Sequence, residues 1–533
     1  MKTNRSIAWF LSLCLMLLVA APLTGQEDKP KSDKSKTEKS DSKEESDKDE
    51  DSDEEDEDKD KEDEPVLAIV GGDIHTVSGP MIRQGTILVK DGKILDVGHS
   101  IKVPDDATVI DAAGKTISPG FVAISMRGVG LRSTPSQREK LADALDPFDR
   151  NIKFSLGVGI TTGCIEMTTG GGFGRRRAEE DGSPEEIFLG LEDPIEEQLT
   201  ESMLDFGDED TALCPCCGLP VIPTEPITPA PPTRAQPRKM AVLKMSFGNL
   251  DDMLTKETAF YSPSPGALNG ALQRHNWRVE MEKAKKAIKE EKEAKEKTAK
   301  KSTTKKTDKN AKPDAKTKAK PKTTRTRTAR TRTRPELKQL LNREIAMRIR
   351  ANTVDEIRDM VELAQEIGYD IIIEGGIEAW VIGQELGASD VSVIYTPRQR
   401  RSPQPGLEDS TGSYVESPRI FQEAGVPFAV AAMGNSISLG GLAGRDLTSL
   451  PLEAAFAVRG GASEQAALEA LTLTPARMMG LEDRIGSIEK GKDADILILN
   501  GNPLDYRTYV EQAIVAGKVS YERNVDRVYP VEE

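Results

Sequence analysis

Histidine is nearly absent from this chain, which has only His75, His99 and His275 among its 533 residues. The imidazole ring is the usual general base of serine hydrolases and a common metal ligand. His75 and His99 lie among β-rich runs and His275 borders a basic segment, so a Ser-His-Asp triad cannot be placed. We expect each of the three to be a surface or packing residue.

Cysteines are also few, five in all. Cys214, Cys216 and Cys217 form the only close group, and they could supply half of a zinc site. No second pair of cysteines or histidines lies at a suitable spacing, and a disulfide is at least as compatible with this pattern in an exported protein. The role of this group stays open, and no metal is predicted there.

The only long apolar run lies at the N-terminus, at residues 7–21. It follows two basic residues and precedes Gly25, an order that is typical of a secretory signal peptide. The run is shorter than the roughly 20 residues of a spanning helix, although an uncleaved anchor is the alternative. We expect residues 1–25 to be a signal peptide, and the protein to be periplasmic or extracellular without a membrane span.

Charged residues make up 30% of the chain, with a net charge of −16, and much of the charge lies in two low-complexity runs. Residues 26–64 are almost wholly Lys, Asp, Glu and Ser, which predicts a disordered acidic tether. Residues 278–334 begin as a Glu/Lys/Ala-rich helix and end in a Lys/Thr/Arg run. That run has no interleaved aromatic residues, so no nucleic-acid partner is expected. A further insertion, at 175–237, is rich in acids, Pro and Cys.

Short β-rich runs occur near both ends of the expected folded part. A tight hairpin is predicted at Asp91-Gly92, since Gly accepts the positive φ of such a turn. The runs lie at 66–70, 86–90, 93–97, 108–111, 116–117, 494–499, 512–515 and 517–521. Because the last three have no barrel strand left to join, residues 65–118 plus 481–527 are predicted to form one bipartite β-sandwich module.

Between these ends, strand and helix patterns alternate with short connections. Asp146 is predicted to cap one helix, and Asn352 or Thr353 another. Alternation of this kind is typical of a parallel barrel. We therefore assign the chain to the α/β class, with a (β/α)8 TIM-like barrel over residues 119–480.

The most specific motif of the chain is Gly-Ser-Ile-x-x-Gly-Lys-Asp-Ala-Asp at 486–495. It is accompanied by Val-Lys-Asp-Gly-Lys-Ile at 89–94 and Gly-Val-Gly-Ile-Thr-Thr at 157–162. Together these stretches resemble the amidohydrolase superfamily, nearest to its imidazolonepropionase-like and dihydroorotase-like branches. The resemblance covers residues 65–170, 240–260 and 340–525, and it implies the same barrel and module.

The resemblance also implies a zinc or other divalent metal centre at the C-terminal mouth of the barrel, held by imidazoles and a carboxylate. Ser125 and Arg127 stand where the first pair of imidazoles is expected. Arg350 and Gly375 stand at the next two histidine positions, and Asn435 lies near the expected aspartate. Because a permanent guanidinium cation repels a divalent metal ion, we predict a degenerate member without a metal or other cofactor.

Lys244 lies on an apolar strand where some family members carry a metal-bridging carboxylated lysine. Without a metal, we expect it to pair with Glu166 or Glu374 inside the barrel. A Ser125–Lys244 dyad is chemically allowed, but nothing in the spacing selects it. The candidate pocket residues are Ser125, Arg127, Lys244, Arg350 and Glu374.

These residues predict a pseudoenzyme whose metal-free cationic pocket holds an anionic small molecule or docks on an active amidohydrolase relative. An oligomer is expected. The alternative is an active hydrolase of non-peptide C–N bonds, of the cyclic amide or amidine type, with a non-standard site or with metals supplied across an oligomer interface. A third hypothesis is a structural envelope protein that is anchored by its charged runs.

Overall fold

The computed structural model describes residues 66–132, 140–167, 237–264, 266–303, 334–437 and 446–529. The expected signal peptide, the acidic tether, the Cys214, Cys216 and Cys217 group and most of both insertions lie outside the described residues. No helix in the described part of the chain is long and apolar enough to cross a membrane.

Strands and helices follow one another over the whole described chain. The strands are β1 (Leu67–Ile74), β2 (Ile82–Lys90), β3 (Lys93–Gly98), β4 (Thr108–Asp111), β5 (Thr116–Pro119), β6 (Phe121–Met126), β7 (Ile160–Met167), β8 (Lys239–Lys244), β9 (Leu254–Lys256), β10 (Phe260–Tyr261), β11 (Ala346–Ala351), β12 (Ile371–Gly375), β13 (Ser392–Tyr395), β14 (Phe428–Val430), β15 (Ile496–Leu499), β16 (Val510–Val515) and β17 (Lys518–Glu522). The α-helices are α1 (Leu141–Ala144), α2 (Arg150–Gly157), α3 (Ala271–Thr303), α4 (Pro335–Leu341), α5 (Val354–Ile367), α6 (Gly383–Ala388), α7 (Ser417–Ala424), α8 (Leu450–Arg459), α9 (Glu464–Leu471), α10 (Leu473–Met478) and α11 (Arg523–Asp526).

Strands from both ends of the described chain form one eight-stranded sheet. Its order is β17-β16-β15-β5-β1-β2-β3, and β4 also pairs with β1. The predicted hairpin between β2 and β3 is confirmed, because Asp91 and Gly92 have φ of 51° and 74°. Residues from most of these strands face a shared apolar core, so the sheet curves around its own interior. That core contains Ile69, Ile74, Ile87, Val89, Ile94, Ala112, Ile117, Ile488, Ala494, Ile496, Ile498 and Ile514.

A second group of strands builds the barrel. β6-β7-β8-β9 form one sheet and β10-β11-β12-β13-β14 another, and the two meet where Arg238 pairs with Ser262. All pairings in the second sheet are parallel, as is that of β6 with β7. The described residues show no strand pairing between β14 and β6. Instead, the Arg127 N–H donates to the Asn435 carbonyl at 2.7 Å. The predicted α/β class is confirmed.

β8 departs from the parallel pattern. It runs antiparallel to β7, with Lys239 opposite Met167 and Lys244 opposite Thr162. The first residues of β8 therefore lie at the mouth, beside the C-terminal end of β7. Its last residue, Lys244, lies at the opposite end of the barrel. This reversal decides which side chains reach the mouth.

Helix ends follow capping chemistry, with one difference from the sequence prediction. α5 starts as expected, in a capping box at Thr353, and ends before Gly368, whose φ is 88°. The predicted cap of α2 is wrong, because Asp149 and not Asp146 accepts the first-turn N–H. Asp146 accepts a backbone N–H in the turn just before the helix instead, so both aspartates serve the same entry turn.

α3 starts at Ala271, before the helix that was expected near Arg278. Its first turns pack on the protein, since Trp277 and Met281 are buried in the main core. Arg278 pairs with Glu366 of α5. The packed part of the helix therefore comes first, and the Lys-rich part follows it.

Candidate functional site

Charged side chains gather at the mouth of the barrel, where the C-terminal ends of the parallel strands meet. We call them the mouth cluster. Their strands place them there. One directly follows β6, one is near the end of β7 and one precedes the reversed β8. The other three lie in β11 and β12. The members are Arg127, Glu166, Arg238, Arg348, Arg350 and Glu374. Ligands of this fold class bind at this end of the barrel.

Arg238 connects the two carboxylates of the cluster. Its Nη1 lies 3.1 Å from Glu166 Oε1, and its Nη2 lies 3.5 Å from Glu374 Oε2. Its Nε donates to the hydroxyl of Ser262 at 3.1 Å. The Nη2 of Arg127 donates to Glu166 Oε2 at 2.8 Å. Both oxygens of Glu166 therefore accept from guanidinium groups.

Arg348 is the deepest member of the cluster, with a side chain that is 1% exposed. Its Nε donates to Glu374 Oε2 at 2.9 Å, and its Nη1 donates to the carbonyl of Ile124 at 2.7 Å. Its guanidinium lies 5.8 Å from the centre of the Phe260 ring. A buried charge needs such partners, and here a carboxylate, a carbonyl and an aromatic face supply them.

The arginines keep both carboxylates of the cluster ionised. Burial acts to raise the pKa of Glu166, but the hydrogen bond from Arg127 and the charge of Arg238 outweigh it, and the pKa is lowered. Burial also opposes the lowering of the pKa of Glu374, and there the charges of Arg348 and Arg238 prevail. Both carboxylates of the mouth cluster are thus ionised at neutral pH.

Neither Ser125 nor Cys164 is set up as a nucleophile. Ser125 is half-buried in the part of β6 where the pairing with β7 loses its regular register. Cys164 is a free, buried thiol whose pKa burial raises to about 12. A thiol with that pKa is protonated at neutral pH and therefore unreactive.

Lys244 does not belong to the mouth cluster, and its predicted pairing with Glu166 or Glu374 is wrong. Because β8 is reversed, the Nζ of Lys244 lies at the other end of the barrel. It is 2.8 Å from Asp493 Oδ2 and 3.0 Å from Asp495 Oδ2, and its side chain is 3% exposed. Both aspartates belong to the C-terminal sequence motif. Lys244 therefore joins the reversed strand to the segment that leads into β15.

Comparison with known proteins finds similarity in the C-terminal part of the chain. A model described as the amidohydrolase family matches residues 454–521. The enamidase of Eubacterium barkeri is 39% identical over 72 residues, which are 13% of this chain and 18% of the relative. The 5'-deoxyadenosine deaminase of Methanothermobacter thermautotrophicus is 34% identical over 113 residues, which are 20% and 26% of the two chains. The matched segments thus span about a quarter or less of these relatives.

The fold as a whole is similar to the crystal structure of an amidohydrolase from Thermotoga maritima. The TM-score is 0.54 at 21% identity, over 86% of this chain and 100% of that chain. Residues 454–521 thus match the amidohydrolase family, and the fold of the chain resembles that of an amidohydrolase. The predicted TIM-like barrel is confirmed as its fold.

The mouth residues of this chain do not fit the divalent metal that the resemblance implies. Among the described residues, no three His, Cys, Asp or Glu side chains form a group that could hold a metal ion. The carboxylates of Glu166 and Glu374 are bound by guanidinium groups. A Cβ at Gly375 would lie 2.3 Å from Asn352 Oδ1, so an imidazole there would force a shift. The donor set therefore does not suit a metal-activated water.

Sequence reasoning missed Arg238 and Arg348. Arg348 stands two residues before Arg350 and so shares its face of β11, a signal that could have identified it. No such signal exists for Arg238, since it reaches the mouth only because β8 is reversed. The mouth of this chain is thus built from arginine–glutamate pairs.

Proposed function

We propose that this superfamily member is an exported pseudoenzyme whose metal-free, cationic barrel mouth binds an anionic small molecule. The observation that carries the proposal is the pairing of Glu166 and Glu374 with arginines where a hydrolytic metal centre would be expected. A metal ion would have to displace guanidinium groups from these carboxylates and would meet their repulsion. Export is supported by the N-terminal sequence pattern.

The mouth cluster carries more positive than negative charge. Its four guanidinium groups face two carboxylates, which leaves two positive charges uncompensated within the cluster. Arg127 is 50% exposed and Arg350 is exposed too, so both can be reached from solvent. Arg350 lies near enough to Glu374 to help lower its pKa, yet forms no ion pair with any residue in the described ranges. A carboxylate is the expected ligand, because its two oxygens match the guanidinium fork.

Metal uptake and hydrolysis test the first half of the proposal. The purified protein is incubated with excess ZnCl2 or with EDTA, desalted and analysed for bound metal. We expect no stoichiometric zinc after either treatment, and no hydrolysis of a cyclic amide such as dihydroorotate. One zinc ion per chain, removed by EDTA together with cyclic-amide turnover, would contradict the proposal and favour an active hydrolase of C–N bonds.

Anion binding tests the second half. Succinate, titrated at fixed ionic strength, is expected to bind the wild-type protein. Arg350→Gln is expected to weaken that binding by about tenfold or more, because a hydrogen bond to a charged group contributes about 1.5–3 kcal/mol. Arg358→Gln is the control, since Arg358 pairs with Glu385 on the outer helices. Equal affinity of wild type and Arg350→Gln, or no binding to either, would count against an anion site at the mouth.

A further inference from the structure

One guanidinium group lies between two strands that do not pair with each other. Arg238 directs Nη1 at Glu166 of β7, Nη2 at Glu374 of β12 and Nε at the hydroxyl of Ser262. Its side chain is 18% exposed, and that of Glu166 is 8% exposed. Three acceptors from three separate chain segments thus surround one planar cation that is shielded from water.

We infer that Glu166, Glu374 and Ser262 form a guanidinium-binding site of which Arg238 is the built-in occupant. The inference rests on the proposed function, because it explains what takes the place of a metal between the two carboxylates. It also goes further, since it assigns the site a selectivity for a planar, forked cation. Arg238 is then the positioning residue that holds both carboxylates and the start of the reversed β8.

The other arginines of the cluster do not fill this position. The side chain of Arg127 is half exposed, and among the described carboxylates it pairs with that of Glu166. Among the described acids, Arg348 pairs with Glu374, and its Nη1 donates to the carbonyl of Ile124. In the part of the chain that the structure describes, Arg238 alone bridges the two carboxylates. Its main chain is fixed as well, because the Arg238 N–H donates to the Ser262 carbonyl at 2.7 Å.

The geometry also separates a guanidinium from other cations. One hydrogen-bond acceptor lies at each nitrogen of the Arg238 guanidinium, an arrangement that matches the fixed fork of N–H donors and not a compact ammonium. A divalent metal would need the oxygens to close in to about 2.0–2.6 Å, against the repulsion of Arg127 and Arg348. An emptied site should therefore prefer a small guanidinium ion.

Chemical rescue tests this inference. Arg238→Ala leaves two shielded carboxylates without their shared partner, so its thermal midpoint is expected to fall below that of wild type. Methylguanidinium chloride at millimolar concentration is expected to raise that midpoint by several degrees, since a ligand that binds only the folded state stabilises it. Methylammonium chloride at the same concentration is expected to have little effect. Neither salt should raise the midpoint of the wild-type protein.

Two further variants make the result specific. Arg238→Ala combined with Glu166→Gln removes one acceptor and should abolish the rescue, while Arg358→Ala, at an exposed pair, should show none. If Arg238→Ala is recovered only unfolded, the refolding yield in the two salts is compared instead. Absence of rescue, or equal rescue by methylammonium, would overturn the guanidinium site. Zinc binding by the wild-type protein would instead overturn the proposed function, so the two failures are distinguishable.

Discussion

Arg348→Met is expected to lower the free energy of unfolding by about 3–5 kcal/mol, the loss typical of breaking a buried ion pair from one side. The change removes the partner of Glu374 at 2.9 Å and leaves the carbonyl of Ile124 without its donor at 2.7 Å. It also removes the cation that faces the Phe260 ring. Methionine fills similar space, so lost charge and not lost volume should dominate. Urea unfolding at neutral pH measures the loss.

Three comparisons make the Arg348 prediction specific. Arg358→Met removes an arginine from a pair with Glu385 whose side chains are 46% and 56% exposed, and it should cost at most about 1 kcal/mol. Arg348→Lys keeps the charge but not the forked donors of the guanidinium. Its loss of unfolding free energy should therefore lie between those of Arg348→Met and Arg358→Met. Near pH 4 the loss for Arg348→Met should shrink, because Glu374 without Arg348 takes up a proton there more readily. Equal losses for Arg348→Met and Arg358→Met would contradict a structural role of the buried guanidinium.

Lys244→Met, at the other end of the barrel, is also expected to lower the free energy of unfolding by about 3–5 kcal/mol. Lys244 is the cation shared by Asp493 and Asp495, at 2.8 and 3.0 Å. Asp493 keeps Lys93 and Arg484 at 2.9 and 2.8 Å, but Asp495 loses its ion pair. Since both aspartates precede β15, the substitution should loosen the curved sheet from the barrel. Lys285→Met, at an exposed pair with Glu282, is the control and should have little effect.

The pH dependence of stability provides a second test of the ion pair between Lys244 and Asp493. Burial acts to raise the pKa of Asp493, but the charge and hydrogen bond of Lys244 outweigh it and lower the pKa from 3.8 to about 2. A lowered pKa stabilises the folded state by about 2 kcal/mol above pH 3.8, and this contribution is lost as the pH falls towards 2. Wild type should therefore lose stability over that range, and Lys244→Met should lose less. Parallel pH profiles for the two proteins would contradict the ion-pair assignment.

The sequence predicts those parts of the fold that depend on the chemistry of neighbouring residues. Asp91-Gly92 is a turn because both residues must take positive φ. Thr353 caps α5 because its hydroxyl accepts a free N–H of the first turn, that of Glu356. The α2 cap shows the limit of this reasoning. Asp146 and Asp149 are both able to cap, and only the entry turn of the folded chain decides between them.

The candidate site was only partly predictable, because strand direction is not a local property. An apolar strand such as β8 has the same pattern in either direction, and its orientation depends on the segments that connect it. Its reversal moves Lys244 away from the mouth and brings Arg238 to it. Arg127, Arg350 and Glu374 lie on or beside parallel strands, whose C-terminal ends share one side, so these three lie at the mouth.

Anomalous diffraction at the zinc absorption edge, from crystals grown with ZnCl2, tests most directly whether arginines have taken the place of a metal. The arginine–glutamate pairing predicts no anomalous peak bonded to Glu166 or Glu374, with the guanidinium of Arg238 between them. A peak at about 2.0–2.2 Å from an oxygen of either carboxylate, with Arg238 displaced, would contradict it.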